Sequence, residues 1–239
     1  MADDSSGIAQ EYLDGEYYGK NSSFHVEDSP WKAGQIIKML HSTSLRPAFV
    51  AEVGCGAGEI LVQLSRELVN ARFDGYEPSP QAFALCRTRQ SERTNYFNTD
   101  LTVQTGCYYD LVLCIDVFEH IEDYFTFLRG LRARGRAFIF HIPLDMNVQV
   151  VARAEPLARV RREVGHLHYF SKETALAALE SCGYTIRSWF FTPNGADRPK
   201  TPKAKLLQIP RKLSFRMAPE LTARLLGGYS LMVYATPQL

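Results

Sequence analysis

The chain has 239 residues, 46% of them apolar and 22% charged, with a formal net charge of +1. That length holds one well-cored α/β domain, and the composition is that of a globular protein, which excludes disordered and fibrous classes. A net charge so close to zero excludes any global electrostatic push toward nucleic acid or membrane.

The charge is spread unevenly. Residues 1–30 carry seven acids against Lys20, a net of −6, whereas residues 193–219 carry seven bases against Asp197, a net of +6. The start, Met1 to Ser6, has neither the basic nor the apolar region of a secretory signal. No apolar run approaches the roughly 20 residues of a membrane span. The cysteines (Cys55, Cys86, Cys107, Cys114, Cys182) are odd in number and form no Cys-x-x-Cys pair, which fits free thiols in a reducing compartment. A soluble cytoplasmic protein is expected.

Residues 1–28 are polar, with Tyr12, Tyr17, Tyr18 and Phe24 scattered through them. Ser29-Pro30 is a helix start, serine at the cap and proline at the first helical position. Ile36, Ile37, Met39 and Leu40 then give one apolar face to a helix predicted from Trp31 to Leu45. The apolar run Phe49–Val53 feeds Gly54-Cys55-Gly56-Ala57-Gly58, and Ile60, Leu61, Leu64 and Leu68 follow at helical spacing. Phe73-Asp74-Gly75-Tyr76 then ends on Glu77. Strand, glycine turn, helix and second strand make half of a nucleotide-binding α/β unit. Glycines let the backbone approach a ligand, and the helix start offers unpaired N–H groups. A carboxylate at the tip of the second strand can accept both hydroxyl protons of a ribose.

Beyond Pro78-Ser79-Pro80 the spacing predicts a helix over 81–90, then a short strand Tyr96-Phe97-Asn98 leading into Asp100-Leu101. The continuous apolar run Tyr109–Ile115 reads as a central parallel strand, with Asp116-Val117-Phe118-Glu119-His120-Ile121 at its end. A helix over about 124–134, stopped by Gly135, precedes a fifth strand over 136–142. Residues 144–170 carry Arg153, Arg159, Arg161 and Arg162 and end in Gly165-His166-Leu167-His168-Tyr169-Phe170. Ser171 starts another helix, with a Ser-x-x-Thr pattern short of a full capping box. Tyr184–Thr192 reads as strand six, 193–219 as a basic proline-rich loop and 228–236 as the last strand. No repeat or second domain boundary is evident, so one domain over 1–239 is expected.

Two cofactor classes use the glycine layout. A dinucleotide fingerprint is G-x-G-x-x-G with a pyrophosphate at the helix start. Here Glu59 follows where its third glycine would fall, and an acid there repels phosphate. A cationic sulfonium carries no phosphate, and Glu52 suits a ligand with an ammonium group. Glu52-x-Gly54-x-Gly56-x-Gly58 together with Glu77 resembles the first two motifs of class I S-adenosylmethionine-dependent methyltransferases. An NAD-dependent oxidoreductase is the second class. A scaffold that had lost activity would need a broken cofactor motif, and none is broken.

The resemblance covers roughly residues 30–236. It implies a Rossmann-like α/β fold: a seven-stranded, mostly parallel sheet, last strand antiparallel, with helices on both faces. It also implies S-adenosyl-L-methionine as cofactor, held by Glu52, Gly54, Cys55, Gly56, Gly58, Glu77, Pro78, Asp100, Leu101, Ile115 and Asp116. In this reading Asp100 takes the adenine amino group and the Leu101 backbone meets a ring nitrogen. Residues 1–45 would form a lid, with Tyr17, Tyr18 and Trp31 as substrate contacts or merely as packing. Asp116–Asp123 and Gly165–Ser171 resemble the branch containing ubiquinone-biosynthesis and small-molecule methyltransferases.

Methyl transfer from a sulfonium is an in-line displacement, so the protein must align donor and acceptor, exclude water and, for a hydroxyl, remove a proton. Base candidates are His166 and His168, with His141 on the substrate side. A metal-assisted alternative, as in RNA 3′-end 2′-O-methyltransferases, would use Asp116, Glu119 and His120 as ligands. The basic 193–219 stretch holds only Phe215 for base stacking. A small-molecule hydroxyl acceptor, without nucleic acid or metal, is expected.

Overall fold

The structure, a computed structural model, describes residue 19 and residues 26–153, 155–193 and 208–238. Seven strands form one sheet: β1 (Phe49–Val53), β2 (Arg72–Tyr76), β3 (Thr94–Phe97), β4 (Leu111–Ile115), β5 (Phe138–Pro143), β6 (Tyr184–Thr192) and β7 (Ser230–Pro237). Their order is β3-β2-β1-β4-β5-β7-β6. Strands β1 to β5 pair in parallel, and β7 runs antiparallel to both β5 and β6. This is the expected Rossmann-like sheet with its antiparallel last strand.

Helices cover both faces, which is why β4 is buried at every position. On one side, α1 (Ser29–Thr43) and α2 (Glu59–Glu67) put Ile36, Met39, Leu40, Leu61 and Leu64 against Phe73 and Met232. On the other, α4 (Tyr124–Arg132) and α7 (Lys172–Ser181) put Phe127, Leu128, Leu131 and Leu179 against Phe138, Phe140 and Tyr184. Each such side chain, fully buried, stabilises by roughly 1.5–3 kcal/mol. A short helix α3 (Pro80–Arg87) follows β2, capped by Ser79.

The register brings the strand ends to one edge. Val53 pairs with Tyr76 and with Cys114, and Ile115 pairs with His141. Gly54, Glu77, Asp116 and Pro143 therefore emerge side by side, where parallel α/β sheets bind ligands.

The glycine turn has two positions that only glycine fills. Gly54 sits at φ +63°, and a Cβ there would lie 2.8 Å from Val117 Cγ2. Gly58 sits at φ +79°, where a Cβ would lie 2.6 Å from the Tyr96 ring. The Tyr96 hydroxyl in turn donates to the Gly58 carbonyl at 2.9 Å. A β3 tyrosine thus props the loop from below.

Several sequence expectations need correction. The basic stretch is not all loop: Gln208–Met217 forms α8 and Pro219–Leu226 forms α9, while 194–207 lie outside the described residues. Pro210 falls in the first turn of α8, where it costs no hydrogen bond, and Phe215 stacks on Tyr229 with ring centroids 4.5 Å apart. The arginine-rich segment likewise holds α5 (Val148–Val151) and α6 (Glu155–Val164). Ser171 and Thr174 do make a full capping box, because the threonine hydroxyl accepts from the Ser171 N–H at 2.9 Å. Tyr17 and Tyr18 lie outside the described residues. All five cysteines are free thiols. Among the described residues no helix is long and apolar enough to cross a membrane.

Candidate active site

A cavity of about 380 Å³ opens at this sheet edge, between the glycine turn, the β2 and β4 ends, α1 and α6. Small-ligand sites span roughly 300–1,000 Å³, so it is large enough for a nucleoside-sized group. Of the residues proposed from sequence to hold the cofactor, Glu52, Gly54, Cys55, Gly56, Glu77, Pro78, Asp100, Ile115 and Asp116 line it. Gly58 and Leu101 do not line it: Gly58 is committed to Tyr96, and the Leu101 side chain is fully buried in the core.

Glu77 organises the turn. Its carboxylate accepts the Gly56 N–H and the Ser79 N–H, both at 2.8 Å. Burial pushes the carboxyl up to about 7, against the pull of those two N–H groups. Glu52, 1% exposed, has an Oε2 without a hydrogen-bond partner, and burial raises its carboxyl well above the usual range. A buried acceptor without a donor costs free energy, and a cationic or N–H-bearing ligand in the cavity would relieve that. Asp100 accepts the Thr102 N–H at 2.8 Å, so it caps the following 3-10 turn while also lining the cavity. Glu59 lines it too, but Arg89 Nε stands 3.0 Å from its carboxylate. Its charge is compensated, so the obstacle to a pyrophosphate is a side chain in the glycine position more than repulsion.

Asp116 lies at φ +55°, in the left-handed region. Lys32 of α1 reaches it at 2.7 Å, and His141 Nδ1 donates to its other oxygen at 2.5 Å. Burial pushes the Asp116 carboxyl up, but His141 and Lys32 together outweigh it and hold the acid far below the carboxylate range. His141 is 1% exposed, and its Nε2 contacts the Thr192 hydroxyl at 2.8 Å. Both ring nitrogens are occupied and the ring is absent from the cavity wall, so the structure does not put His141 on the substrate side. Trp31 packs edge-on against His141 at 6.1 Å and is also absent from the wall. Lys32 was missed from sequence. Its spacing from Asp28 and from buried Ile36, four residues each way, was the available signal.

The two histidines of the loop part company. His166 lines the cavity, and its Nδ1 meets Asp145 Oδ2 at 2.6 Å. A carboxylate fixes the proton on Nδ1 and leaves Nε2 as the basic nitrogen. His168 Nε2 instead meets the Ile121 carbonyl at 2.9 Å, away from the wall. His120 Nδ1 faces the Gly165 carbonyl at 3.1 Å, which makes Nδ1 its donor. Burial drives the His120 ring down to about 3, with His166 adding to the shift. Glu119 is fully buried, neither carboxylate oxygen has a hydrogen-bond partner, and burial raises it well above the usual range. Ligand atoms of Glu119, His120 and His166 lie within 4.8 Å of one another. Asp116, tied to Lys32 and His141, is not in that group. The metal-assisted alternative grouped Asp116 with Glu119 and His120, but Asp116 precedes the single 3-10 turn Phe118–His120 that carries the other two.

Residues 51–136 match the family described as a methyltransferase domain. The chain is 23% identical over 130 residues to the ubiquinone biosynthesis O-methyltransferase of Rickettsia bellii, covering 52% of this chain and 54% of that protein. It thus spans about half the length of the curated relatives it matches. Among solved structures it resembles magnesium protoporphyrin IX methyltransferase of Synechocystis PCC 6803 with bound S-adenosylhomocysteine. That likeness has a TM-score of 0.59 at 15% identity, over 93% of this chain and 92% of that one. The N-methyltransferase NodS of Bradyrhizobium japonicum, also with S-adenosylhomocysteine, gives 0.56 at 16% over 86% and 85%. Sheet order and glycine turn have the layout of class I S-adenosylmethionine-dependent methyltransferases, and the matched segment is a methyltransferase domain, whose cofactor is S-adenosyl-L-methionine. Within that class the sequence similarity lies with ubiquinone biosynthesis O-methyltransferases.

Proposed function

We propose that this protein transfers a methyl group from S-adenosylmethionine to a hydroxyl of a small-molecule acceptor. The observation that carries this reading is the Asp145–His166 pair on the wall of the same cavity that holds Glu52, Glu77 and Asp100. Glu77 would accept the ribose hydroxyls and Asp100 the adenine amino group, while the Gly54–Gly58 turn cradles the amino-acid portion. Bound there, the cofactor supplies an activated methyl carbon. His166 Nε2 takes the acceptor's hydroxyl proton, and Asp145 steadies the imidazolium that results. Residues 1–45, through α1 and Lys32, would act as a lid that keeps water out.

Titration calorimetry with S-adenosylhomocysteine and with NAD tests the class. S-adenosylhomocysteine is expected to bind and NAD not; the reverse would make this an oxidoreductase scaffold. The same instrument tests Glu77. Its carboxyl is half-protonated near pH 7 in the free protein, and only the ionised form offers two unprotonated oxygens and a full charge to the pair of ribose hydroxyls. Binding is therefore expected to release protons, and affinity to fall as pH drops through about 7. Glu77→Ala is expected to weaken binding by about 1–3 kcal/mol. Heats identical in buffers of different ionisation enthalpy would remove Glu77 from the ribose site.

A metal-assisted reading, including 2′-O-methylation of RNA 3′ ends, is favoured by one observation: the buried Glu119 carboxylate, which accepts no hydrogen bond, beside His120 and His166. A divalent ion there would polarise the acceptor hydroxyl. Methylation of RNA 3′ ends without any small metabolite would select this reading over the first.

A further inference from the structure

The helical hairpin between β6 and β7 leaves its apolar side in solvent. On α8, Ile209, Leu213 and Met217 recur every four residues and are 78%, 59% and 79% exposed. On α9, Leu221 and Leu225 repeat the spacing and are also exposed. The opposite side of α8 is fastened down: Phe215 stacks on Tyr229, and the Arg211 guanidinium donates to the Leu226 carbonyl at 2.7 Å. The outward direction of the stripe is therefore fixed by packing. At about 100° per residue, Lys212 and Arg216 fall along one margin of the Ile209–Leu213–Met217 row, and both are exposed.

We propose that this hairpin is a docking surface for an anionic lipid bilayer. An apolar row edged by bases is the pattern of a helix lying in a membrane interface, with its apolar side among the acyl chains and its bases among the headgroups. The charges agree with it. No acid occurs within α8, and on α9 Glu220 is held by Lys172 at 2.8 Å. A second copy of the chain fits less well, because a two-fold contact through this face would set base against base. A nucleic acid would leave the five apolar side chains without a role.

The position fits as well. The hairpin runs directly into Tyr229 and Ser230, and Ser230 lines the cavity. The Leu144 N–H donates to the Tyr229 carbonyl at 3.2 Å, and the segment after it exposes Met146, Val148 and Val151. Both chain segments that leave the cavity at β5 and β7 thus present apolar side chains outward. The inference rests on the surface alone and does not depend on the identity of the methyl acceptor.

Sedimentation of the full chain with vesicles of phosphatidylcholine, with or without phosphatidylglycerol, tests it. The protein is expected to pellet with phosphatidylglycerol vesicles and to be released by added salt. The double variant Leu213→Ser/Met217→Ser is expected to lose this binding. Lys212→Ser and Arg216→Ser are expected to weaken it by roughly fivefold each. Unchanged thermal unfolding would certify that the variants fold. Failure of the unaltered protein to bind at low salt would overturn the proposal, and so would full binding by both sets of variants. A concentration-dependent dimer that the apolar double variant abolishes, without vesicle binding, would assign the face to a second copy instead.

Discussion

Replacement of His166 by alanine is expected to lower turnover by roughly 10²–10⁴-fold, the usual contribution of a positioned general base. Affinity for S-adenosylhomocysteine should stay the same, because the ring acts on the acceptor side. Asp145→Asn should give a smaller loss, since an amide can no longer hold the proton on Nδ1 or steady the imidazolium. His168→Ala should cost less than either, because that ring is spent on the Ile121 carbonyl. Single-turnover assays with saturating cofactor would separate these cases. The metal-assisted reading makes a different forecast: a chelator would abolish activity, and Glu119→Ala would cost as much as the histidine. Chelator-insensitive activity with only a mild loss in His166→Ala would remove both ideas and leave catalysis to alignment alone.

Phe118→Ala is expected to destabilise the protein by about 3–5 kcal/mol, the cost of a large aromatic truncated in a packed core. Phe118 is fully buried, with its ring 5.1 Å from Phe170, 5.9 Å from Tyr124 and 6.4 Å from Phe140. It lies within the turn that carries Asp116, Glu119 and His120. The Glu119 carbonyl accepts the Leu167 N–H at 2.8 Å and the His168 N–H at 3.0 Å, joining that turn to the histidine loop. Turnover should therefore fall along with stability. Denaturant unfolding measures the first effect, and a loss below about 1 kcal/mol would mean the turn is held by its backbone bonds rather than by this ring.

The first half of the fold was legible because its signals are local. An apolar run, three closely spaced glycines and a carboxylate 23 residues after Gly54 can hardly fold otherwise, and the strand over Tyr184–Thr192 appears with the predicted bounds. The helices α5, α6 and α8 were not legible. Helix α5 is a single turn, whereas α6 and α8 are rich in arginine or proline; α8 reads as loop until Tyr229 supplies a partner for Phe215. His141 illustrates a second limit. Its place at a strand end suggested a ligand contact, but the positive φ of Asp116 turns a carboxylate onto it, and no sequence pattern announces that turn. Lys32 and Asp145 were overlooked for a related reason. Each matters through a partner far away in the chain, and spacing arguments see only neighbours.

The placement of β7 sets an order of events during synthesis. Among the described residues, strand β6 has no hydrogen-bonded neighbour in the sheet other than β7, and β5 finds its second one there too. A ribosome delivers β1 to β5 with their crossovers early, and that parallel block can associate as it emerges. Until Ser230–Pro237 has been made, however, Trp189, Phe190 and Phe191 sit on a strand with nothing to pair with, beside an open edge of β5. Such pairing between distant segments is slow, and an unpaired apolar strand invites association with other nascent chains. The helices α8 and α9 lie in the connection between β6 and β7, so β6 waits until both have been made before its partner strand exists.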